Sequence, residues 1–489
     1  MAAIWTAPLL AAAVVIPLFW MVLSLLWPGR ARIGLTAVGA ILQLSVTILL
    51  WWQVRTYGGI LYVPGGWPLP LGIALHLDGL ALCFLVLTAV IASTCALHAH
   101  LYLRDRYAFQ RYFWPLYWFL WAGLNSVWLS ADVFNLYVSL ELVGLCAVGL
   151  VAITGEPQAL SAALRYLLAA LAGSLMYLLG VALLYGGYGT LVLPELAEQV
   201  APGLTTAVAL GLMTVGLVFK TALFPLHGWL PPAHGGALPP VSALLSALVI
   251  KASFYTLARL WLDLGDALPA TLSANALGLL GAIAIFWGSW AALRQHKLKL
   301  VVAYSTVAQI GYFFLLFPLL AGAGVEAARK AEEGVMLLVL AHGLAKAGMF
   351  LAAGNLVVSL GRDSVAGLTG ISRFRPISLF SFGLAGVTLM GLPPSGGFTA
   401  KWLLLQSALA SGKAVWAAVI LLGGLATAAY IFRVFRQSFE EGPEDDVFNH
   451  PSRWMEAVPM SLSLGSVLLG LWAAEPLRLF AIVAEGGSP

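Results

Sequence analysis

Charge is what this sequence has least of. Only 9% of its 489 residues are Asp, Glu, Lys or Arg, against 61% hydrophobic ones, a balance that excludes a globular protein with a mostly polar surface facing water. With a mean hydropathy of +0.93, the solvent around it is lipid. Long polar stretches are missing too. The longest, at about 55–76 and 437–454, are too short for a water-soluble domain, so the chemistry sits in or against the membrane. Cysteine is scarce: Cys83, Cys95 and Cys146 stand singly inside apolar runs with no C-x-x-C spacing. They read as packing residues and imply neither disulfide nor metal, and no cofactor is expected. The first apolar run lacks a basic leader and a small-residue cleavage site, so it reads as a permanent span. GLPPSGGFTAK is glycine-rich before a lysine but lacks the G-K-[ST] order of a phosphate loop. The arginines are scattered over loops instead of clustered on one face, which excludes a nucleic-acid role.

What is present, along the whole chain, is apolar runs of about 20 residues, the length a helix needs to cross a bilayer core. About fourteen are predicted, near 4–27, 33–54, 77–101, 111–130, 132–153, 160–187, 204–230, 239–262, 274–293, 299–320, 334–360, 376–411, 413–435 and 455–474. The expected fold is an all-α polytopic membrane protein.

The 25 basic residues are unevenly placed. If both termini share a side, the odd-numbered loops hold fifteen of them, among them Arg30, Arg32, Arg104, Lys299, Arg375 and Arg453. The other side holds six: Arg55, Arg259, Arg329, Lys330, Lys413 and Arg478. The positive-inside tendency then puts the odd loops in the cytoplasm and both termini outside the inner (plasma) membrane of a prokaryote. Four basic residues belong to no loop: Lys220, Lys251, Lys346 and Lys401.

Each of those four sits inside an apolar span, where a charge costs about 2.5–3.5 kcal/mol on insertion scales. Among the carboxylates, Glu141 is the one that lies deep, in the middle of FNLYVSLELVGLCAVGLVAI. Pairing and snorkelling toward the interface account for a lone lysine near a helix end, and Lys401 is closest to that case. One acid cannot neutralise several bases, however. Lysines removed from water give up protons more readily than solvated ones, which suits them to accepting and releasing protons near neutral pH. His342 and Lys346 in LVLAHGLAKAGMF are four apart, so they share a helix face and are placed for proton exchange. His227 and His234 flank a break in FPLHGWLPPAHGGALPP and read equally as relay groups or interfacial side chains. His98 and His100, at a span end beside arginines, are expected to be solvated and not a haem pair.

Two spans are broken in a corresponding way. The seventh reads GLVFKTALFPLHGWL, with Pro225 five residues after Lys220; the twelfth reads GLAGVTLMGLPPSGGFTAKWLLL, with Pro393 and Pro394 shortly before Lys401. A proline removes a backbone donor and unwinds the helix locally, leaving polar groups that need water or a side chain. That predicts a hydrated pocket beside each lysine. The breaks lie five spans apart, an odd number, which puts two copies in opposite orientations and suggests two inverted five-helix repeats. The predicted units are 1–110 (helices 1–3), 111–262 (first repeat, helices 4–8), 274–435 (second repeat, helices 9–13) and 455–489 (helix 14 and tail).

At these residues the chain resembles the antiporter-like subunits shared by respiratory complex I, membrane-bound hydrogenases and Mrp-type multisubunit cation/proton antiporters. The matching stretches are ADVFNLYVSLEL, VFKTALFPLHGWLP, PPVSALLSALVIKASFY, LKLVVAYSTVAQIGY, AHGLAKAGMFLAAGN and LMGLPPSGGFTAKWLLL, in the family's order over most of the chain. The resemblance implies a fourteen-helix core with inverted repeats and a proton path along a hydrated axis. On the family's motifs Glu141 pairs with Lys220 in a first half-channel, Lys251 lies near the centre, His342 and Lys346 connect onward, and Lys401 serves a second half-channel. This is electrostatic switching without bond-making catalysis. The lysine at 401 resembles the Mrp D-type and the N- and L-type complex I subunits more than the M-type. The long amphipathic extension of the L-type is lacking, and the wording is most similar to the Mrp D-type. Pro232 departs from the family, which often carries an acid there, so a relay through that loop is not carried over.

The expected function is therefore proton translocation as one subunit of a multisubunit complex, with other membrane subunits as partners and protons, or protons against sodium, as cargo. No flavin, quinone-redox or iron–sulfur signature occurs, so any redox chemistry of an NADH:quinone oxidoreductase-like or hydrogenase assembly belongs to another chain. The alternatives are a membrane anchor for a soluble enzyme handling inorganic carbon or hydrogen, and a freestanding solute carrier. The carrier needs a convergent binding cluster, and the sequence supplies lysines and histidines along an axis instead.

Overall fold

The computed structural model describes residues 2–27, 31–67, 69, 72–268, 270–441 and 452–482. Arg30, the side chain of Arg32, most of the polar stretch at 437–454 and the tail beyond residue 482 lie outside the described residues.

Helices α1 (Ala2–Leu26) and α2 (Ala31–Tyr57) lead into an antiparallel hairpin of β1 (Ile60–Tyr62) and β2 (Leu75–Leu77), with Leu61 opposite His76. This hairpin is the one departure from the all-helical expectation among the described residues. Next come α3 (Gly79–Tyr102), α4 (Tyr107–Leu129), α5 (Val133–Val151), α6 (Pro157–Tyr188), the short α7 (Leu193–Gln199) and α8 (Leu204–Thr221) with its continuation α9 (Leu230–Gly236). A π turn over Leu245–Val249 joins α10 (Pro239–Leu244) to α11 (Ile250–Leu264). The second half holds α12 (Ala270–Arg294), α13 (Leu298–Phe313), α14 (Leu316–Leu320), α15 (Val325–Leu360), α16 (Ile371–Phe374), α17 (Pro376–Met390), α18 (Gly396–Ala410) and α19 (Ala414–Phe439). The chain closes on α20 (Arg453–Leu471) and α21 (Ala474–Phe480).

Among the described residues, twelve helical stretches are long and apolar enough to cross a membrane. The aromatic-rich α4 and the broken pair α17/α18 bring the crossing segments to the fourteen expected. Both breaks are present, after Thr221 and after Met390. Helix α15 starts earlier than predicted, at Val325, so Arg329 and Lys330 are helical. They pair one turn away with Glu333 at 2.6 Å and Glu326 at 2.9 Å.

Burial sorts the helices. The stretches α10–α11, α13–α14 and α15 are almost wholly enclosed, whereas α1 and α2 present mostly exposed apolar surface. Lipid tails are as apolar as leucine, so helices in a membrane associate through close packing and not through the hydrophobic effect. Glycine pairs supply that closeness: a Cβ on Gly173 of α6 meets the Gly216 carbonyl of α8 at 2.6 Å, and one on Gly281 of α12 meets Gly311 of α13 at 2.6 Å. Close helix pairs include α1 with α4, α4 with α5 and α6 with α8 in the first half, and α12 with α13, α15 with α17 and α15 with α18 in the second.

Several basic residues assigned to solvated loops are drawn wholly or partly into the protein instead. Lys413 donates to the carbonyls of Pro318 (2.7 Å), Leu319 (3.1 Å) and Ala321 (2.7 Å), satisfying the acceptors that the end of α14 leaves open. Arg259 of α11 reaches Asp78, which caps α3 through the Ala81 amide at 2.8 Å; the ion pair is 2.6 Å long. Arg375 and Lys299 are also enclosed.

Candidate functional site

The first charged pair is made where α8 stops. Lys220 is its penultimate residue; Ala222 takes a left-handed conformation (φ 58) and the proline at 225 cannot continue the ladder. The Phe219 carbonyl accepts from the Ala222 amide and from the Trp229 indole at 3.0 Å, and that ring stacks on Tyr166 at 4.2 Å. Lys220 Nζ then lies 2.8 Å from Glu141 Oε1 on α5, an oxygen that also accepts from the Ser174 hydroxyl of α6. Lys220 is nearly enclosed while Glu141 keeps 21% of its side chain exposed. A small cavity beside the pair is lined by Tyr166, Lys220, Val249 and Ser253, and so leads from α8 toward the π turn ahead of Lys251.

That π turn re-aims the centre of the protein. A π turn leaves carbonyls out of the regular ladder, and Lys251 Nζ takes one of them, Ser246 O. The same ammonium lies 2.7 Å from His342 Nδ1 on α15. His342 and Lys346 share a helix face as expected, yet they do not bond each other. His342 pairs with α11, while Lys346 turns to α13, donating to Val302 O at 2.9 Å and to the Ser305 hydroxyl. His234 of α9 is fully buried and stacks on Phe350 at 4.6 Å, within coulombic reach of Lys251, Lys299 and Lys346.

The second break holds Lys401. Helix α17 ends at Gly391 (φ 83), Pro393 and Pro394 occupy the gap, and Ser395 restarts the chain as the cap of α18, accepting from the Phe398 amide at 3.2 Å. The open carbonyls of α17 are filled by Lys401 Nζ, 2.7 Å from Leu389 O and 3.4 Å from Met390 O, and by Gln309 at 3.2 Å from Leu389 O. Lys401 also lies 4.1 Å above the Tyr312 ring. It does not snorkel: the side chain is buried and bound at the break. Gly391 is needed there, because a Cβ on it meets the lysine's Cδ at 2.7 Å. A cavity of about 120 Å³ lined by Gly391, Lys401 and Trp402 opens beside it.

The remaining expectations divide. His227 is turned away from the axis: its ring lies 3.3 Å from the Trp287 indole of α12 and against Phe224. His98 is not solvated but buried, 3.0 Å from Asn355 Oδ1, because α3 packs against α15 and α20 along its length; His100 is half-buried. Two residues were missed. Lys299, counted to a loop, donates to Gly235 O at 3.1 Å and Ala237 O at 2.5 Å beside His234. Glu456, taken as a span-end residue, is more deeply buried than Glu141 and lies 4.0 Å from Arg375. Their nearness to predicted helix ends masked both. Among the described residues no group of three His, Cys, Asp or Glu side chains is placed to hold a metal ion.

Chemically, the arrangement is a series of buried polar contacts between groups of the kinds that can bind and release a proton: Glu141 with Lys220, Lys251 with His342, Lys346 with Ser305, and Lys401 at the second break. A cavity lies beside each end lysine.

Residues 130–427 match the family model described as NADH:quinone oxidoreductase/Mrp antiporter, TM. The N subunit of the NADH-quinone oxidoreductase of Desulforudis audaxviator is 35% identical over 96% of this chain and 96% of its own. The D-type subunit of the Na(+)/H(+) antiporter of Alkalihalophilus pseudofirmus is 28% identical over 93% of this chain and 90% of its own. In the structure of the Mrp complex from Dietzia sp. DQ12-45-1b, one chain superposes with a TM-score of 0.85 at 24% identity, covering 97% of this chain and 96% of that one.

Proposed function

Since the chain belongs to the NADH:quinone oxidoreductase/Mrp antiporter transmembrane family, we propose that it is the proton-translocating subunit of a multisubunit complex in a prokaryotic inner membrane. In this reading both termini lie outside. One observation carries the function: the series of buried bases between two broken helices, led by the Glu141–Lys220 pair at 2.8 Å. Charges of this cost inside a membrane mark ion or proton pathways. Opening the pair removes the counter-charge from Lys220, which changes its affinity for a proton and passes the disturbance to Lys251 and His342.

Two inverted repeats, 111–262 and 274–435, frame this mechanism. The like pairing of α4 with α5 and α12 with α13, and of α6 with α8 and α15 with α17, supports that reading. So does the position of each break in the fourth helix of its repeat.

Coupling to a cation gradient follows from the D-type wording of the axis motifs and the full-length likeness to the antiporter protein. The 35% identity to an N-type oxidoreductase protein favours a second reading, in which a soluble redox arm drives the protons. Proton flux measured in vesicles holding the intact complex separates them. A flux driven by a sodium or potassium gradient without an electron donor supports the antiporter, and one that requires a donor supports the redox assembly.

A further inference from the structure

The axis leaves out a second line of buried polar side chains, on the inner face of α20. Glu456, Ser463 and Ser466 follow each other at helical spacing on that face, and all three are buried. At the odd-loop end, Glu456 Oε1 accepts from the Ser378 hydroxyl of α17 at 2.8 Å, with Arg375 4.0 Å from its other oxygen. Pro459 cannot donate to the Met455 carbonyl four residues before it, and that acceptor is taken by Asn355 at 2.8 Å. Further in, Ser466 Oγ lies 2.8 Å from Thr388 Oγ1 of α17. The residue after Thr388 is Leu389, whose carbonyl holds Lys401 Nζ at 2.7 Å.

Small residues on α20 are explained by close packing against α15, where Ser463 lies against Gly348. Packing does not explain the hydroxyl. Ser463 Oγ is fully buried, faces the seam and has no hydrogen-bond partner among the described residues. An unpaired hydroxyl in an apolar interior costs free energy that alanine avoids.

We infer that α20 carries a second proton route, from Glu456 at the odd-loop end through Ser463 and the Ser466–Thr388 pair to Lys401. A proton taken up by the Glu456 carboxylate is passed on by hydroxyls, each accepting one proton on oxygen and releasing its own, and ends on the Lys401 amine. From Glu456 to Ser463 is seven residues, about 10 Å along the helix, and Thr388 Oγ1 makes no hydrogen bond to Lys401 Nζ, which is held by the Leu389 and Met390 carbonyls, so mobile water has to complete both steps. The route loads the second break from the odd-loop face through side chains other than Glu141 and Lys220, and a cycle of translocation needs both lines intact. It rests on the proton-translocating reading above.

The test is proton flux in vesicles carrying the intact complex, with assembly checked, for Ser463→Ala, Glu456→Gln and, as reference, Lys401→Ala. Removing a partnerless hydroxyl breaks no hydrogen bond, so a purely structural Ser463 predicts parental flux. The route predicts that Ser463→Ala and Glu456→Gln both lose most of their flux. Parental flux in both, with flux lost in Lys401→Ala, overturns the route and leaves the axis standing. Parental flux in Lys401→Ala overturns the route together with the proton-translocating reading. If Glu456→Gln fails to assemble, Ser463→Ala decides alone.

Discussion

Lys251 Nζ and His342 Nδ1 lie 2.7 Å apart, joining two basic side chains that are 91 residues apart in the chain. A hydrogen bond needs one donor and one acceptor, so of the two facing nitrogens one carries the proton and the other accepts it. The two bases therefore share a proton at the centre of the molecule. His342 Nε2, on the far side of the ring, has no partner among the described residues.

His342→Gln tests that sharing. Its side-chain oxygen can still accept from Lys251, so the enclosed helices keep a polar contact, but an amide does not exchange protons at neutral pH. Flux in the assembled complex is expected to drop about as far as in His342→Ala. Flux at the parental level in the glutamine variant makes His342 a structural acceptor only.

Gly391→Ala tests the second break. A left-handed backbone costs a non-glycine residue about 1–2 kcal/mol, and the new Cβ falls 2.7 Å from Lys401 Cδ. The lysine is expected to leave the Leu389 carbonyl, with a large loss of flux and a small loss of thermal stability. Unchanged flux shows that Lys401 works without being held at the break.

Asp78→Asn tests the tie between α3 and α11. Burial pushes the Asp78 carboxyl up, but Arg259 and His76 beside it and the Ala81 amide together hold it below the usual carboxylate range. A carboxyl whose pKa is lower in the folded protein stabilises it above the unfolded value of about 4, and that contribution fades as pH falls through the folded value. The substitution leaves Arg259 buried without its counter-charge, an effect of roughly 3–5 kcal/mol for a buried pair. Thermal unfolding of the detergent-solubilised protein should show a deficit that is constant from about pH 5 to 8 and shrinks in stronger acid. A deficit independent of pH down to the acid limit contradicts the ion pair.

How much of this was legible in the sequence depended on where each residue sits along its helix. Residues deep in an apolar run announced themselves, because Lys220, Lys251, Lys346 and Glu141 have no bland place to be. The breaks at Pro225 and Pro393–Pro394 were legible for the same reason, since proline leaves the helix few options. Which way a side chain faces was not. In a helix with lipid on one side and packed protein on the other, both faces are apolar, so periodicity could not tell that His342 turns to α11, Lys346 to α13 and His227 to Trp287. Residues near helix ends were misplaced more often. Lys299, Arg375, Lys413 and Glu456 look like loop charges by position, yet open carbonyls and neighbouring helix ends draw them inside. The π turn before Lys251 leaves no proline or glycine to mark it.

The measurement closest to the central claim is proton flux in vesicles carrying the intact complex, comparing the parent with Lys220→Ala and Glu141→Ala while assembly is shown to be unchanged. A collapse of flux in both variants is the predicted result, because each removes one half of the 2.8 Å pair that starts the charged row. Parental flux in both, with normal assembly, contradicts proton transfer along this axis and leaves the buried charges as structural ties in a membrane anchor.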